Sequence, residues 1–261
     1  MKIVVCVKQV PATNEVGVDE ATGVLKREGT ACKVNPYDLY AVEMALALRE
    51  AHGGRVQVIS MGPPQAKAAL LETLHMGADD ACLLNDRRFA GSDVLATART
   101  LAAGILSLGG FDLILCGMQT TDGDTAQVGP ELAEFLGIEH ACYVQAVQIQ
   151  NASLVAELNL GNRVMVQQMP LPCLLTVEKN ANTPRLPGYR RSLQVSEEQI
   201  TSLSLDNLEN RDESRYGLAG SPTKVERIFS PPGGTGQQLY RGTAEQVAAD
   251  AYKILRQNKF V

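Results

Sequence analysis

The sequence predicts an α/β protein built on an open, mainly parallel sheet with helices on both faces. Three observations lead there. Short runs of branched apolar residues, from Lys2 to Val7, Arg55 to Ser60, Ala81 to Leu84 and Asp112 to Cys116, suit strands buried on both sides. Between them lie longer segments whose apolar residues recur at helical spacing, with glycine or proline at the joints. Four such strand–helix alternations imply parallel strands reached by right-handed crossovers.

In chain order, Lys2 to Val7 is the first strand. Gln9 to Lys33 is polar and turn-rich, with Asn14, Gly17, Gly23 and Gly29, and reads as a small hairpin excursion. Asn35 stands as cap and Pro36 in the first turn of a helix carrying Val42, Met44, Ala45 and Leu48 on its apolar side and ending near Gly53. After the strand to Ser60, Gly62 and Pro63 turn the chain into a helix from Gln65 to Met76, closed by Gly77. The strand at Ala81 to Leu84 leads to a helix from Ser92 to Leu108, with Ser92 or Asp93 as its cap. Gly109 and Gly110 then enter the strand ending at Cys116. A helix follows from Pro130 to Leu136, with Glu131 and Glu134 left for solvent and Gly137 as its stop. After Ala141 the period changes to two, punctuated by Gly161 and Asn162, and Leu174 to Val177 follows Pro172. These strands are expected to extend the sheet in antiparallel fashion. From Lys179 onward prolines, glycines and charges dominate, with a last helix at Thr243 to Leu255. The expected division is an α/β domain at 1–178 and an arm at 179–261; an arm of that length without its own core wraps a partner.

A length of 261 residues allows one large domain with appendages or two small ones. The hydrophobic share of 45% and charged share of 20% are those of a soluble globular protein. No apolar run approaches the ~18 residues of a membrane span, and Ile3 to Val7 is too short for a signal-peptide core. No membrane insertion and a cytoplasmic location are expected. A net charge of -5 without a long Lys/Arg run argues against a nucleic-acid partner. Cys6, Cys32, Cys82, Cys116, Cys142 and Cys173 show no C-x-x-C spacing, and His52, His75 and His140 lie far apart, so neither a disulfide framework nor a zinc motif is read.

The stretch Phe111 to Gly137 is strand, loop and helix start. Its loop, Met118 to Gly129, is long for this position, and long loops are more often functional. Asp122, Gly123 and Asp124 set a turn, and Asp124 or Thr125 is placed to cap the helix. Beyond the carboxyl end of a parallel strand, loop amides and a helix N-terminus hold an anion such as phosphate. The loops after the first, second and fourth strands converge on that edge.

The block GMQTTDGDTAQVGPELAEFLG, Gly117 to Gly137, resembles the signature of electron transfer flavoprotein beta subunits. CVKQVP (Cys6 to Pro11), VNPYDLYAVE (Val34 to Glu43), SMGPPQA (Ser60 to Ala66) and AGSPTKV (Ala219 to Val225) are similar to further segments of that family, in the same order. The resemblance implies a fold of the adenine-nucleotide alpha-hydrolase type. It implies an adenine nucleotide at the strand ends, with Cys6, Asn35 and Met61 around the base or ribose. Gln119, Thr120, Thr121, Asp122, Gly123, Asp124, Thr125 and Gln127 would surround the phosphates. Asp122 and Asp124 cannot face phosphate without repulsion, so they are expected to bind amides or ribose hydroxyls.

Some members of the family hold AMP there as a structural ligand, while the electron-bifurcating branch holds a second FAD that takes hydride from NADH. Asn85 to Thr97, NDRRFAGSDVLAT, resembles the loop of that branch, which implies FAD with Phe89, Gly91, Ser92 and Asp93 beside it. NAD(H) would then be a substrate. The implied partners are an electron transfer flavoprotein alpha subunit, ferredoxin and a flavin dehydrogenase acting on an acyl-CoA, an enoyl-CoA or a 2-hydroxyacid such as lactate. Taken alone, Phe89 is equally a loop anchor and Ser92 or Asp93 a helix cap. In PRLPGYRR, Pro184 to Arg191, Tyr189 stands where the family's recognition loop usually has leucine; flanked by Arg190, it is the expected anchor for the dehydrogenase.

No Ser-His-Asp or Cys-His arrangement is readable, nor a GxxxxGK[ST] or GxGxxG loop. Chemistry, if any, rests with a cofactor. Cys6 reads as a packed thiol, and Gly233, Gly234 and Gly236 after Pro231 and Pro232 read as a linker. An ATP-pyrophosphatase would need an SGGxDS-type loop where this chain has CVKQVPAT. A stand-alone nucleotide-binding sensor, resembling universal stress proteins, would share the core but leave the arm unexplained.

Overall fold

The structure is a computed structural model and describes residues 1–12, 31–150, 153–226 and 239–261. The tip of the expected hairpin excursion and the Gly233 to Gly236 linker lie outside the described residues. Strands β1 (Lys2–Cys6), β2 (Gln9–Pro11) and β3 (Cys32–Val34) precede α1 (Pro36–His52), β4 (Arg55–Met61), α2 (Lys67–Met76) and β5 (Asp80–Leu84). Then come α3 (Val94–Ser107), β6 (Leu113–Gly117), α4 (Val128–Leu136), β7 (Glu139–Gln150), β8 (Ser153–Asn159), β9 (Val164–Pro170) and β10 (Cys173–Val177). The one-turn α5 (Tyr189–Ser192), β11 (Ile200–Leu203) and α6 (Ala244–Gln257) follow.

Among the described residues, nine strands form one sheet in the order β11-β5-β4-β1-β6-β10-β7-β8-β9. Strands β11 through β7 are parallel, and β7, β8 and β9 pair antiparallel. β2 and β3 form a separate antiparallel ribbon, the base of the expected hairpin. From β1 the chain moves through α1 to β4 and through α2 to β5, then α3 carries it back to β6 on the other side of β1. The order reverses between β1 and β6, and crevices at such reversals are where open α/β sheets bind ligands.

Alternate residues of the central strands face opposite cores. Ile3, Val5, Leu113 and Leu115 pack with Val42, Ala45 and Leu46 of α1 and Leu70 and Leu74 of α2. Val4, Ile114 and Cys116 pack with Leu101 and Ile105 of α3 and Leu132 of α4. Each fully buried Leu, Ile or Val contributes about 1.5–3 kcal/mol relative to exposure, which explains the continuous apolar runs of the strands.

Two features differ from expectation. β10 does not extend the sheet in antiparallel fashion but lies parallel between β6 and β7, and only β8 and β9 form the antiparallel extension. β10 is buried along its whole length, as a central position requires. The segment after Glu178 also carries more than a last helix. β11 adds to the sheet beside β5, and Leu205, Leu208 and Tyr216 bury against the α3 side of the core. The compact unit accordingly runs from Met1 to Glu226, past the expected boundary at 178/179, and residues 227–261 form a second unit. These anchors are single residues separated by turns, so they leave no period in the sequence.

In the second unit, Thr243 caps α6 through a capping box with Gln246, and no residue of the helix is buried. No helix among the described residues is long and apolar enough to cross a membrane.

Candidate functional site

Gly117 ends β6 directly against the first turn of α1. A Cβ built there would stand 2.7 Å from the Tyr37 carbonyl carbon, 2.8 Å from the Asp38 amide nitrogen, and against Asp38 Oδ1. Only glycine lets the strand end approach the helix this closely. Asn35 occupies the cap position of α1, yet its side chain makes no cap bond. Its Nδ2 donates to Asp38 Oδ1 and to the Gln119 carbonyl, both at 2.8 Å, and its Oδ1 accepts the Thr121 amide at 3.2 Å. Asn35 thus ties α1 to the loop after β6.

Asp38 is buried beneath this tie and accepts the Lys8 amide at 2.7 Å. Burial pushes its carboxyl up to about 7, against the hydrogen bonds from Asn35 and the Lys8 amide, the Lys8 charge and a hydrogen bond from the Gly117 amide. The Lys8 ammonium reaches across to Asp122 at 2.8 Å. Against the desolvation of that carboxyl, Lys8's hydrogen bond and charge hold Asp122 below the usual carboxylate range. Neither Lys8 nor Asp38 was singled out in the sequence, although both stand within matched blocks. An acidic residue in a first helical turn ordinarily favours the helix dipole at the surface, and nothing local marks this one as buried.

The loop from Met118 to Gln127 is held by its own polar groups. Gln119 Nε2 donates to Asp124 Oδ1 and, at 3.3 Å, to the Tyr37 hydroxyl. The Asp124 amide donates to the Thr120 carbonyl at 3.0 Å, and the Gly123 amide to Thr120 Oγ1 at 3.4 Å. Asp124 and Ala126 both take left-handed backbone, φ 51 and 54, at about 1 kcal/mol or more each for non-glycine residues. Neither Asp124 nor Thr125 caps α4, contrary to expectation. Gln127 holds the cap position without a side-chain bond, because Asp124 turns back to Gln119. The α4 N-terminus therefore faces the loop without a capping carboxylate. Thr121, Asp122, Gly123, Thr125 and Gln127 are exposed, Cys6 is buried at the end of β1, and Met61 is half-buried at the end of β4.

Phe89, Gly91, Ser92 and Asp93 form a second loop, after β5. Phe89 is buried with its ring 5.7 Å from that of Tyr216. Ser92 Oγ donates to the Phe89 carbonyl at 2.8 Å, and Asp93 caps α3 through the Ala96 amide at 3.0 Å. Asp93 also accepts the Thr223 amide and hydroxyl at 3.0 and 2.8 Å, and its own amide donates to Ser221 Oγ at 2.8 Å. The block at Ala219 to Val225 is therefore the partner of this loop. Glu131 of α4, expected in solvent, has Oε2 buried without a hydrogen bond; burial, then the charge of Asp93, push its carboxyl up.

A third surface carries Tyr189 and Arg190. Arg185 forks onto Glu43, with Nε to Oε2 and Nη2 to Oε1 both at 2.9 Å, and also pairs with Glu50. Arg191 donates to the Leu74 carbonyl in the last turn of α2 at 2.6 Å and to the Ala78 carbonyl just beyond it. The Gly188 amide donates to the His75 carbonyl at 2.9 Å. Leu186 and Tyr189 between these clamps, and Leu193 just after them, stand exposed. Among the described residues, no group of three or more His, Cys, Asp or Glu side chains gathers as a metal site.

A family profile described as "Electron transfer flavoprotein domain" matches residues 22–204. The chain is 46% identical to an "Electron transfer flavoprotein subunit beta" of Clostridium acetobutylicum, over 87% of each chain. It is 41% identical to the "Caffeyl-CoA reductase-Etf complex subunit CarD" of Acetobacterium woodii, over 100% of each chain. It is also 41% identical to "Protein FixA" of Azorhizobium caulinodans, over 96% of this chain and 92% of the relative.

Proposed function

The chain belongs to the electron transfer flavoprotein family, among its beta subunits, and from that premise we propose that it holds FAD at the β1/β6 strand ends within a heterodimer with an alpha subunit. In this reading it passes electrons between NAD(H), ferredoxin and a partner flavin dehydrogenase by bifurcation. The observation that carries the nucleotide part is the tie made by Asn35 across the switch point, joining α1 to a strained loop that leads into a helix without a side-chain cap.

The residues fit such a guest. Loop amides and the α4 N-terminus supply donors for a pyrophosphate. Gly117 brings backbone close to the crevice, and Lys8 occupies Asp122 and so offsets its repulsion of an anion. Gln119 donates to the Asp124 carboxylate and so turns it toward itself. When bound, the flavin would supply the hydride and electron-transfer chemistry that these side chains lack. Tyr189 between the Arg185 and Arg191 clamps is proposed as the dehydrogenase anchor. Helix α6, with its exposed Tyr252 and Leu255, is proposed to lie against the alpha subunit.

The choice of FAD over AMP rests on the likeness of Asn85 to Thr97 to the bifurcating loop and on the match to the CarD subunit. Extraction and quantification of nucleotide from the purified heterodimer should recover two FAD. One FAD and one AMP would instead assign a non-bifurcating subunit. That alternative has an observation in its favour, since the burial of Phe89 against Tyr216 and the capping by Asp93 give the loop a structural reason of its own.

Asp124→Ala removes the acceptor for Gln119 and leaves alanine in left-handed backbone. Loop order is expected to fall by ~1 kcal/mol, weakening nucleotide retention several-fold. Flavin retention equal to wild type in dialysis would show that the carboxylate has no part in holding the loop.

A further inference from the structure

We propose that Asp38 is a proton-sensitive positioning residue: its charged carboxylate holds the ends of β1 and β6 and the start of α1 in the posture that grips the nucleotide, and taking up a proton there loosens the grip. This rests on the nucleotide reading above and adds a regulation to the same site.

The carboxylate is where three segments meet. One oxygen accepts the Lys8 amide at 2.7 Å, just beyond β1, and the other accepts Asn35 Nδ2 at 2.8 Å. Gly117, at the end of β6, packs directly against the same carboxylate, since a Cβ built there would meet Asp38 Oδ1. Accepting from Asn35 fixes which way that amide points, and hence that its nitrogen meets the Gln119 carbonyl while its oxygen meets the Thr121 amide. A charged carboxylate only accepts; a protonated one turns one oxygen into a donor and sets it against the donors already facing it. With one acceptor site given to the proton and the charge lost, the bonds that hold the three segments together weaken. The site is buried, so water is not at hand to take over the lost partner.

The groups that face Asp38 leave it as the one that changes charge near neutrality. Lys8 is paired with Asp122, whose carboxyl, against its desolvation, is held below the usual range by Lys8 and stays charged. The Cys116 thiol of β6 is pushed well up by its hydrogen bond with Cys6, by burial and by the charges of Cys6 and Asp38, and keeps its proton. Tyr37, next to Asp38 on α1, is engaged with Gln119. Asp38 itself is raised to about 7 by burial. Loss of the proton-free form through that range lowers the binding-competent fraction in proportion.

The test uses the full heterodimer, with FAD as the probe because its pyrophosphate carries no titrating proton near neutrality. Affinity should be about tenfold weaker at pH 6 than at pH 8 and recover when the pH is returned. Asp38→Asn, which presents a permanent donor, should bind FAD weakly at every pH, with a profile level to within about twofold. A wild-type profile that is level, or that tightens toward acid, overturns the proposal without needing any variant. So does an Asp38→Asn profile with the wild-type slope. Failure of both FAD and AMP to bind at pH 8 would sink the nucleotide reading itself, and this proposal with it.

Discussion

Gly117→Ala is expected to destabilise the chain by about 3 kcal/mol or more and to release bound nucleotide. The added methyl would meet the Tyr37 carbonyl carbon at 2.7 Å and the Asp38 amide at 2.8 Å, both backbone atoms of the first turn of α1. Flexible side chains yield to such a clash, but a helix backbone yields only by moving as a whole, so the cost lies at the upper end of overpacking. Moving α1 would also pull Asp38 from the Lys8 amide and Asn35 from Gln119 and Thr121. Urea unfolding of wild type and variant would read the change as a lower midpoint. Gly123→Ala is the control, since a Cβ there meets nothing nearer than Thr120 Oγ1 at 3.4 Å. It should stay within about 0.5 kcal/mol of wild type. Equal midpoints for Gly117→Ala and wild type would mean that α1 and β6 adjust freely, and the tight junction would lose its significance.

Tyr189→Ala is expected to weaken binding of the partner dehydrogenase by ~2 kcal/mol, roughly thirtyfold, with bound flavin and stability unchanged. Tyr189 is 77% exposed, beside Leu186 at 86% and Leu193 at 70%, so its removal takes little from the fold. The frame around it suits the anchor role proposed for it. Arg185 on Glu43 and Glu50, Arg191 on the Leu74 and Ala78 carbonyls and the Gly188 amide on the His75 carbonyl hold the turn in place before any partner arrives, which reduces the ordering cost of docking. Calorimetric titration of the dehydrogenase against both proteins decides it. Equal affinities would remove Tyr189 from the interface, and loss of flavin would assign it to the fold. Because leucine is usual at this position in the family, coupling to a typical acyl-CoA dehydrogenase is expected to be poor; brisk transfer to one would contradict that.

The four strand–helix units that carry the site were legible because their signals are local. A buried strand such as Ile3 to Cys6 must be apolar throughout, a helix such as α3 must show its period, and the glycines between them mark ends wherever the chain goes next. The loop from Met118 to Gln127 was legible for the same reason, as length and composition belong to the segment itself. The placement of β10 between β6 and β7, and of β11 beside β5, depends on which strand edge is unpaired when each arrives, and no residue within those strands records that. Asp38 is the sharpest case: its neighbours in sequence describe an exposed first turn, while Lys8, Gly117 and the β6 loop bury it from segments 30 or more residues away. Glu131 was misjudged likewise in its exposure, and the Tyr216 ring beside Phe89 was not foreseen, because burial is a property of what the rest of the chain brings against a side chain. Period and punctuation act within a few residues and survive in the sequence, whereas desolvation and the choice of hydrogen-bond partner are set only once distant strands have closed.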